Sequence, residues 1–448
     1  MSTHATAQRL APRHAFRGHE GLPPGPRGPA AWQTLRLAHD WVGFLQDCRQ
    51  RYGDVFTVDF AGFGIAVYVA DPDVCAAVFQ GDPDVFRAGE AREVAEPIAG
   101  PRSVLILDGD EHRRERRLLL PSFQGNHVRV HERKMEEAAE REIANWPLGR
   151  PVRARPVMQA ITLDVILRAV FGADERVRAR LGPAVTRVLD VGTWATMATA
   201  LPAPLERLTQ RAWLAPRLRV VDELLHAHIR ARRAQANGHE DVLALLLASR
   251  DEDGRGLDDD AVRDELMTVV AAGHETTANA LAWAIERLVR HPEAMERLLA
   301  ELDEDPAGGP YLDAVVRETL RVRPVIGDTA RVLAAPAEVA GWHLPAGVAV
   351  APAIALVNLD PAVYPDPQAF RPERWLDGSP PSRSWLPFGA GRRSCLGAGF
   401  ALFEMRVVLR TILSRLELRA VRPEDERMRL RNITLTPGRG AEVIARLR

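Results

Sequence analysis

The sequence lacks the features that mark several large classes of protein. It has no uninterrupted apolar run of about 18 residues, so no membrane-spanning helix is predicted, and its start lacks the apolar core of a secretory signal. Its three cysteines, Cys48, Cys75 and Cys395, lie too far apart to suggest a disulfide framework or a zinc site. The 59 Lys and Arg residues nearly balance the 60 Asp and Glu residues, so no overall charge attracts nucleic acid or an anionic membrane. These absences favour a cytoplasmic protein that binds no nucleic acid.

The first thirty residues differ in composition from the rest. Arg9, Arg13 and Arg17 precede the first acidic residue, Glu20, a pattern that a mitochondrial transit peptide also shows. Weak amphipathicity favours a disordered tail instead. The segment GLPPGPRGP at 21–29 cannot be helical and favours an extended lead. We therefore expect a disordered, proline-rich lead over 1–30 and one domain over 31–448.

Helical periodicity dominates that domain. Apolar residues recur every three to four positions over 128–146, 157–171, 216–235 and 241–249, and the longest such stretch covers 258–290. Alternating residues at 54–70 predict two short strands with a turn. Prolines and glycines divide the chain after residue 323 into short extended pieces, and a last helix is predicted to begin near residue 396. The fold class is mainly α with a minor β region, in a single domain.

Cys395 lies in a glycine-rich loop that leads directly into this last helix. Backbone N–H groups at a helix N-terminus, together with Arg392 and Arg393, favour thiolate over thiol. A phosphatase-type nucleophile needs its anion-binding loop after the sulfur, whereas here the glycines and arginines precede it. An inert core cysteine does not need the surrounding glycines. A metal ligand is the interpretation that fits best.

The segment resembles the haem-binding signature of the cytochrome P450 family, Phe-x-x-Gly-x-Arg-x-Cys-x-Gly. The fixed positions are matched by Phe388, Gly391, Arg393, Cys395 and Gly397. The resemblance implies haem b, with Cys395 as the iron ligand, Arg393 at a propionate and Phe388 beside the sulfur. It also implies that the haem lies between the long central helix and the cysteine loop with its helix.

The long helix contains Ala-Gly-His-Glu-Thr-Thr at 272–277. Ala272 and Thr276 are four residues apart and share a face, where a small residue and a hydroxyl would meet a ligand, with Gly273 also small. Thr276 can bond either to the carbonyl four residues back or to a ligand. The motif resembles the family's acid-alcohol pair, which implies that Glu275 and Thr276 deliver protons during oxygen activation. His274 is not expected to be a ligand, because a second strong ligand would block the oxygen site.

Further charges match the same family. Glu318 and Arg321 form a Glu-x-x-Arg pair on one helix face, and the resemblance adds Arg374 as their third member, all three holding the cysteine loop. His112 and Arg116 share a helix face, and the resemblance implies that they and Arg393 contact the propionates. It adds one more such contact, Arg331. The remaining arginines near the loop are candidates for docking an acidic redox partner: Arg113, Arg114, Arg117 and Arg392.

The resemblance implies a monooxygenase that inserts one oxygen atom from dioxygen into a lipophilic small molecule by hydroxylation or epoxidation. The chain contains no recognisable flavin or ferredoxin domain, so electrons are expected from a ferredoxin and its reductase, or from a flavodoxin. Two alternatives are a peroxide-driven haem hydroxylase and a haem gas sensor or ligand carrier.

The expected substrate is a lipophile from one of four classes: terpenoids, fatty acids, steroids or macrolides. Two segments, 86–107 and 181–213, are expected to line the substrate pocket. Their apolar candidates are Val104, Leu105, Ile106, Val191, Trp194 and Met197.

Overall fold

The first part of the protein combines short helices with a hairpin. The computed structural model describes residues 20–448 except 124–125, 173, 191–209, 236–240, 377 and 379–381. Its first helices are α1 (Ala30–His39), α2 (Trp41–Tyr52), α3 (Pro72–Gln80), α4 (Glu96–Ala99), α5 (Gly109–Leu119) and α6 (Asn126–Arg129). The strands of this part are β1 (Val55–Phe60), β2 (Gly64–Val69) and β3 (Phe86–Arg87). The hairpin predicted over 54–70 is confirmed.

Helices form most of the middle of the chain, as the periodicity predicts. They are α7 (Glu132–Ile143), α8 (Ala154–Phe171), α9 (Glu175–Leu189), α10 (Ala215–Arg233), α11 (Val242–Ala248), α12 (Asp259–Leu288), α13 (Pro292–Glu304) and α14 (Pro310–Val322). Strand β4 (Pro151–Arg153) precedes α8. Helix α12 begins where Asp258 caps the N–H of Ala261, and it ends before Pro292.

The last third carries most of the strands. They are β5 (Arg331–Leu333), β6 (Ala337–Val339), β7 (Trp342–Leu344), β8 (Ala349–Pro352), β9 (Leu416–Ala420), β10 (Met428–Arg431), β11 (Thr434–Pro437) and β12 (Glu442–Leu447). Helix α15 (Ile354–Asn358) is short, and α16 (Ala398–Arg415) is the helix predicted after the cysteine loop. Between α15 and α16 the described chain is mostly irregular, as the prolines predict.

The sheets are small and lie at the edges of the helical body. The largest has five strands in the order β1-β2-β8-β5-β3, with β2 and β8 parallel and the other pairs antiparallel. Strand β12 lies between β4 and β9, while β10 pairs with β11 and β6 with β7. The architecture is therefore mainly α with a minor β region.

Helix α12 contacts two separate apolar cores. Its N-terminal half packs with α8 and α10 through residues such as Leu266 and Val270. Its C-terminal half packs with α14 and α16 through Leu281 and Trp283. Residues 271–277 belong to neither core, so the middle of this helix is available for something other than apolar packing.

The proline-rich lead contacts the first strand of the hairpin. The N–H and the hydroxyl of Thr57 donate to the carbonyls of Pro24 and Pro23, so the lead contacts β1 before α1 begins. The division into a lead over 1–30 and a domain over 31–448 stays a prediction.

Within the described ranges, every helix is too short or too polar to cross a membrane.

Candidate active site

Two glycines fix the shape of the cysteine loop. Gly389 and Gly391 have φ of 64° and 67°, a conformation that disfavours other residues. A Cβ at Gly391 would also lie 2.4 Å from the carbonyl oxygen of Phe79 in α3. The N–H of Cys395 donates to the Phe388 carbonyl at 2.9 Å and closes the loop. The glycine at 391 is therefore required by the protein's own backbone.

The thiol of Cys395 lies deep in the protein and yet remains open to solvent, so it borders an internal space. Burial raises the pKa of this thiol, while the N–H of Gly397 and the charge of Arg116 lower it by less. The N–H of Gly397 at the helix N-terminus thus favours thiolate, as predicted, but desolvation outweighs it and the pKa of the thiol is raised overall. A metal cation bound at the Cys395 sulfur would supply the positive charge that stabilises the thiolate.

The middle of α12 presents accessible surface as well. Ala272 is exposed and Thr276 half-buried, although the helix around them is almost entirely buried. The two residues lie on one face, as predicted, and Thr276 Oγ1 donates to the Ala272 carbonyl at 2.6 Å. Gly273 lies against α8, where an added Cβ would come 3.1 Å from Ile166. The structure thus gives Gly273 a packing role, and its contact with a cofactor stays a prediction.

His274 and Glu275 are both engaged with other parts of the protein. The His274 ring contacts Thr162 Oγ1 of α8 at 3.1 Å, and burial followed by the charge of Arg155 lowers its pKa to about 4. The His274 ring thus faces α8, and its not being an iron ligand stays a prediction. Arg155 donates to Glu275 Oε1 at 2.7 Å, and Asn432 donates to Oε2 at 3.2 Å.

Buried cations gather beside the cysteine loop. Arg331 at the start of β5 is only 3% exposed, and burial followed by the charges of Arg92 and Arg393 lowers its pKa to about 9. Burial and the charges of Arg393, Arg116, Arg92 and Arg331, in that order, lower the pKa of His112 to about 3. The sequence-predicted residues His112, Arg116, Arg331 and Arg393 are thus brought together, and Arg92 joins them.

Hydrogen bonds place this cluster next to Cys395. Arg116 donates to Ser394 Oγ at 3.2 Å. Arg393 donates to the Val104 carbonyl at 3.0 Å, to the Leu107 carbonyl and to Asp108 Oδ1 at 2.5 Å. A cleft of about 560 Å³ borders the cluster. It is lined by residues that include Phe79, Phe86, His112, Arg116, Arg331 and Arg393.

The charges of the cluster do not balance. Among the described residues, Asp108 is the carboxylate whose charge offsets the burial of Arg92, Arg331 and Arg393. It also accepts the N–H groups of Ala88, Gly89 and Glu90. Buried cations without enough counter-charge are costly, so the site favours an anionic ligand. The two propionates of haem, beside a thiol that borders an internal space, fit this set of donors.

A buried network connects Glu318 to the cysteine loop. Glu318 accepts from Arg321 Nε and Nη2 at 2.8 Å each and from Arg374 Nε at 3.0 Å. Trp375 Nε1 donates to Glu318 Oε2 at 2.9 Å, whereas Arg374 donates to Oε1. The Trp375 ring packs edge-on against Trp385, which packs edge-on against Phe388, with centroids 5.6 and 6.0 Å apart. The predicted pairing of Glu318 with Arg321 and Arg374 is present.

The arginines considered for partner docking are not equally available. Arg114 is held between Asp251 at 2.7 Å and Glu115 at 3.0 Å, so it is unsuited to docking. Arg117 pairs with Glu252, and Arg113 with Asp110. Arg113, Arg117 and Arg392 remain at least partly exposed.

Several residues of the site were not identified from the sequence. Arg92, Asp108, Arg155 and Asn432 lie outside the recognised motifs, and no local pattern marks them. Val104 is buried, and Leu105 and Ile106 are half-buried. Three further pocket candidates lie outside the described residues: Val191, Trp194 and Met197.

Comparisons with known proteins agree with this geometry. A family model for cytochrome P450 matches residues 23–443. Putative cytochrome P450 135B1 of Mycobacterium tuberculosis is 45% identical over 435 residues, which cover 95% of this chain and 92% of that protein. Putative cytochrome P450 138 of the same species is 39% identical, covering 95% and 97%.

Solved structures are similar over nearly the whole chain. The heme domain of cytochrome P450DA has a TM-score of 0.84 at 26% identity, covering 95% of this chain and 98% of that one. Retinoic acid bound cyanobacterial CYP120A1 has a TM-score of 0.81 at 26% identity, covering 95% and 99%.

Proposed function

The chain belongs to the cytochrome P450 family, whose members are haem-thiolate monooxygenases, and on that premise we propose a specific reaction and specific roles for its residues. The reaction is insertion of one oxygen atom from dioxygen into a lipophilic small molecule, by hydroxylation or epoxidation. The observation that carries this proposal is the accessible thiol of Cys395 beside an excess of buried positive charge.

Haem b is held, in this proposal, at both its iron and its propionates. Cys395 supplies the sulfur ligand, and Phe388 and Gly391 keep the loop closed around it. The guanidinium groups of Arg116, Arg331 and Arg393 bind the propionates. When bound, haem supplies the redox chemistry that activates dioxygen.

His112 and Arg92 complete the propionate site. His112 is buried among the guanidinium groups, where their charges and desolvation keep its ring neutral without an anion. It can therefore donate one neutral hydrogen bond to a propionate without adding a further buried charge. Arg92 is fixed by the Ala88 carbonyl at 2.7 Å and Thr329 Oγ1 at 2.5 Å, so it contributes a positioned charge.

Thr276 and Glu275 deliver protons in this proposal. The Thr276 hydroxyl can exchange its bond with the Ala272 carbonyl for one with a ligand or water on the same accessible face. The Glu275 carboxylate can accept a proton at Oε2, which is the less tightly held oxygen, and release it toward Thr276. Ala272 leaves room on this face because its side chain is a single methyl group.

The substrate and the electron donor are the finer parts of the proposal. The apolar residues Val104, Leu105 and Ile106 favour a lipophile such as a terpenoid, fatty acid, steroid or macrolide. One solved relative is described with retinoic acid bound, which supports including that class of lipophile in a screen. Electrons come from a ferredoxin with its reductase, or from a flavodoxin, which docks at Arg113, Arg117 and Arg392.

One comparison of reaction conditions tests this function. Purified holoenzyme that shows a substrate-induced spin-state shift is given dioxygen with a ferredoxin, its reductase and NADPH, and product is quantified. The same reaction is run without the ferredoxin system and with hydrogen peroxide. Product that requires both dioxygen and the ferredoxin system supports the proposal. Product with peroxide alone indicates a peroxide-driven hydroxylase, and no product under any condition indicates a gas sensor or carrier.

A further inference from the structure

Glu275 accepts a hydrogen bond at each carboxylate oxygen from a different element of the protein. Arg155, in the first turn of α8, donates from Nη2 to Oε1 at 2.7 Å. Asn432, in the turn between β10 and β11, donates from Nδ2 to Oε2 at 3.2 Å. The direction of the carboxylate therefore depends on the positions of both α8 and the β10–β11 turn.

The contact with Arg155 is the fixed end of this arrangement. Arg155 is buried, and its Nε donates to Asn279 Oδ1 of α12 at 2.8 Å. The backbone N–H of Arg155 is bonded to the Gly440 carbonyl. A buried guanidinium with these partners cannot move without breaking several bonds, so Oε1 stays in place.

The contact with Asn432 is the adjustable end. Asn432 has a φ of 56° and forms, with Ile433, the two-residue turn between Arg431 and Thr434. The base of the turn is attached to α12, because Asn279 Nδ2 donates to Thr434 Oγ1 at 3.0 Å. Its tip is open, since Ile433 is 63% exposed. An amide at 3.2 Å on an open turn holds Oε2 more weakly than Arg155 holds Oε1.

The same turn carries a second charged link. Arg431 lies 3.8 Å from Glu275 Oε1 and 3.6 Å from Asp190, which directly follows α9. Arg431 is partly exposed, and at these distances it forms ion pairs without hydrogen bonds. Asn432 is thus the residue of this turn that fixes the direction of the carboxylate.

We propose that Asn432 is a positioning residue for proton delivery, which sets the direction of the Glu275 carboxylate by holding Oε2 while Arg155 holds Oε1. This role rests on the proposed function, in which Glu275 relays protons. With the amide removed, Oε2 turns freely about the fixed Oε1, and fewer carboxylates are aligned for transfer. Misalignment of a transferring group slows its step without weakening substrate binding. We expect product formation to fall about 5-fold.

Asn432→Gly tests the role cleanly, because glycine accepts the left-handed φ and only the amide is lost. The probe is whichever of lauric acid, limonene, progesterone and retinoic acid gives the largest spin-state shift with the wild type. We expect the dissociation constant from this shift to change less than about 2-fold while the rate of product formation falls about 5-fold. Haem content and the reduced carbonyl spectrum establish that the variant is folded. Asn432→Asp, which keeps the φ and places a negative charge beside Glu275, serves if the glycine variant is unstable.

A double-mutant cycle with Glu275→Gln shows whether Asn432 acts through Glu275. We expect Asn432→Gly to cause no further loss in the Glu275→Gln background. Ile433→Ala is the matched control on the same turn, and its effect should be the same in both backgrounds.

Two outcomes overturn the role of Asn432 while leaving the relay in place. They are a wild-type rate for both Asn432 variants, and an equal effect of Asn432→Gly with and without Glu275. A wild-type rate for Glu275→Gln alone is a different result. It overturns the relay itself, and the role of Asn432 with it.

Discussion

Replacement of Glu318 by Gln is expected to destabilise the protein severely and to release its haem. The carboxylate is fully buried and accepts from two nitrogens of Arg321, from Arg374, from Trp375 and from the N–H of Arg371. Glutamine removes the negative charge and turns an NH2 group toward these donors. Arg321, which is 0% exposed, then remains as a buried cation without its partner.

The magnitude follows from that unpaired charge. Breaking a buried ion pair by removing one partner costs about 3–5 kcal/mol. A typical free energy of unfolding is about 5–15 kcal/mol, so this loss is a large fraction of the total. Damage should reach the cysteine loop, because Trp375 connects Glu318 through Trp385 to Phe388.

Thermal unfolding followed by far-UV circular dichroism, with haem content measured after gel filtration, tests this expectation. Glu373→Gln is the matched control, because Glu373 lies in the same segment but its side chain is 42% exposed. An exposed pair contributes about 0–1 kcal/mol, so the control should unfold nearly as the wild type does. If Glu318→Gln matched Glu373→Gln in both measurements, the inference that Glu318 supports the cysteine loop would be wrong.

Three further predictions concern coupling, partner docking and pH. Thr276→Ala should keep haem and the substrate-induced shift but consume NADPH with less product and more peroxide; full coupling would reduce this hydroxyl to a back-bonded helix residue. Arg113→Glu with Arg392→Glu should slow ferredoxin-driven turnover and weaken its salt dependence while leaving the substrate shift unchanged; unchanged turnover would place docking elsewhere. His274 has a folded pKa of about 4, below its unfolded value, so it takes up protons more readily when unfolded and stability falls as pH drops from about 7 toward 4. At pH 5 the lower pKa of His274 costs about 2 kcal/mol of the free energy of unfolding. His274→Asn should therefore lose less stability between pH 7 and pH 5 than the wild type does, as measured by urea unfolding at both pH values. An equal loss in the two proteins would contradict this role of His274.

The parts of the site that the residues themselves reveal, without the family resemblance, are those whose residues are close in sequence. Gly391 and Cys395 lie four positions apart in one loop, and the loop's own backbone requires the glycine. Ala272 and Thr276 share a face because helical periodicity places them there. The long helix itself was predictable from its acidic start and from the proline that follows it.

Residues that reach the site from elsewhere in the chain and belong to no family motif were not predictable. Arg155 and Asn432 approach Glu275 from opposite sides in sequence, at separations of 120 and 157 residues. Arg92 lies in a short 3-10 turn with no periodicity to mark it. The opposite error arose for Arg114, which looks like a surface charge in sequence but is held by Asp251 and Glu115. Such pairings depend on tertiary contacts, which one sequence alone does not reveal.

The spectrum of the reduced carbonyl complex tests the central claim, thiolate ligation of haem by Cys395, most directly. Thiolate ligation produces a strongly red-shifted Soret band, so the wild-type holoenzyme should show this band and catalyse dioxygen-dependent oxygenation. Cys395→Ala should lose both, whereas Cys48→Ala, which removes a buried thiol elsewhere, should keep both. A red-shifted band that survives in Cys395→Ala would contradict the account.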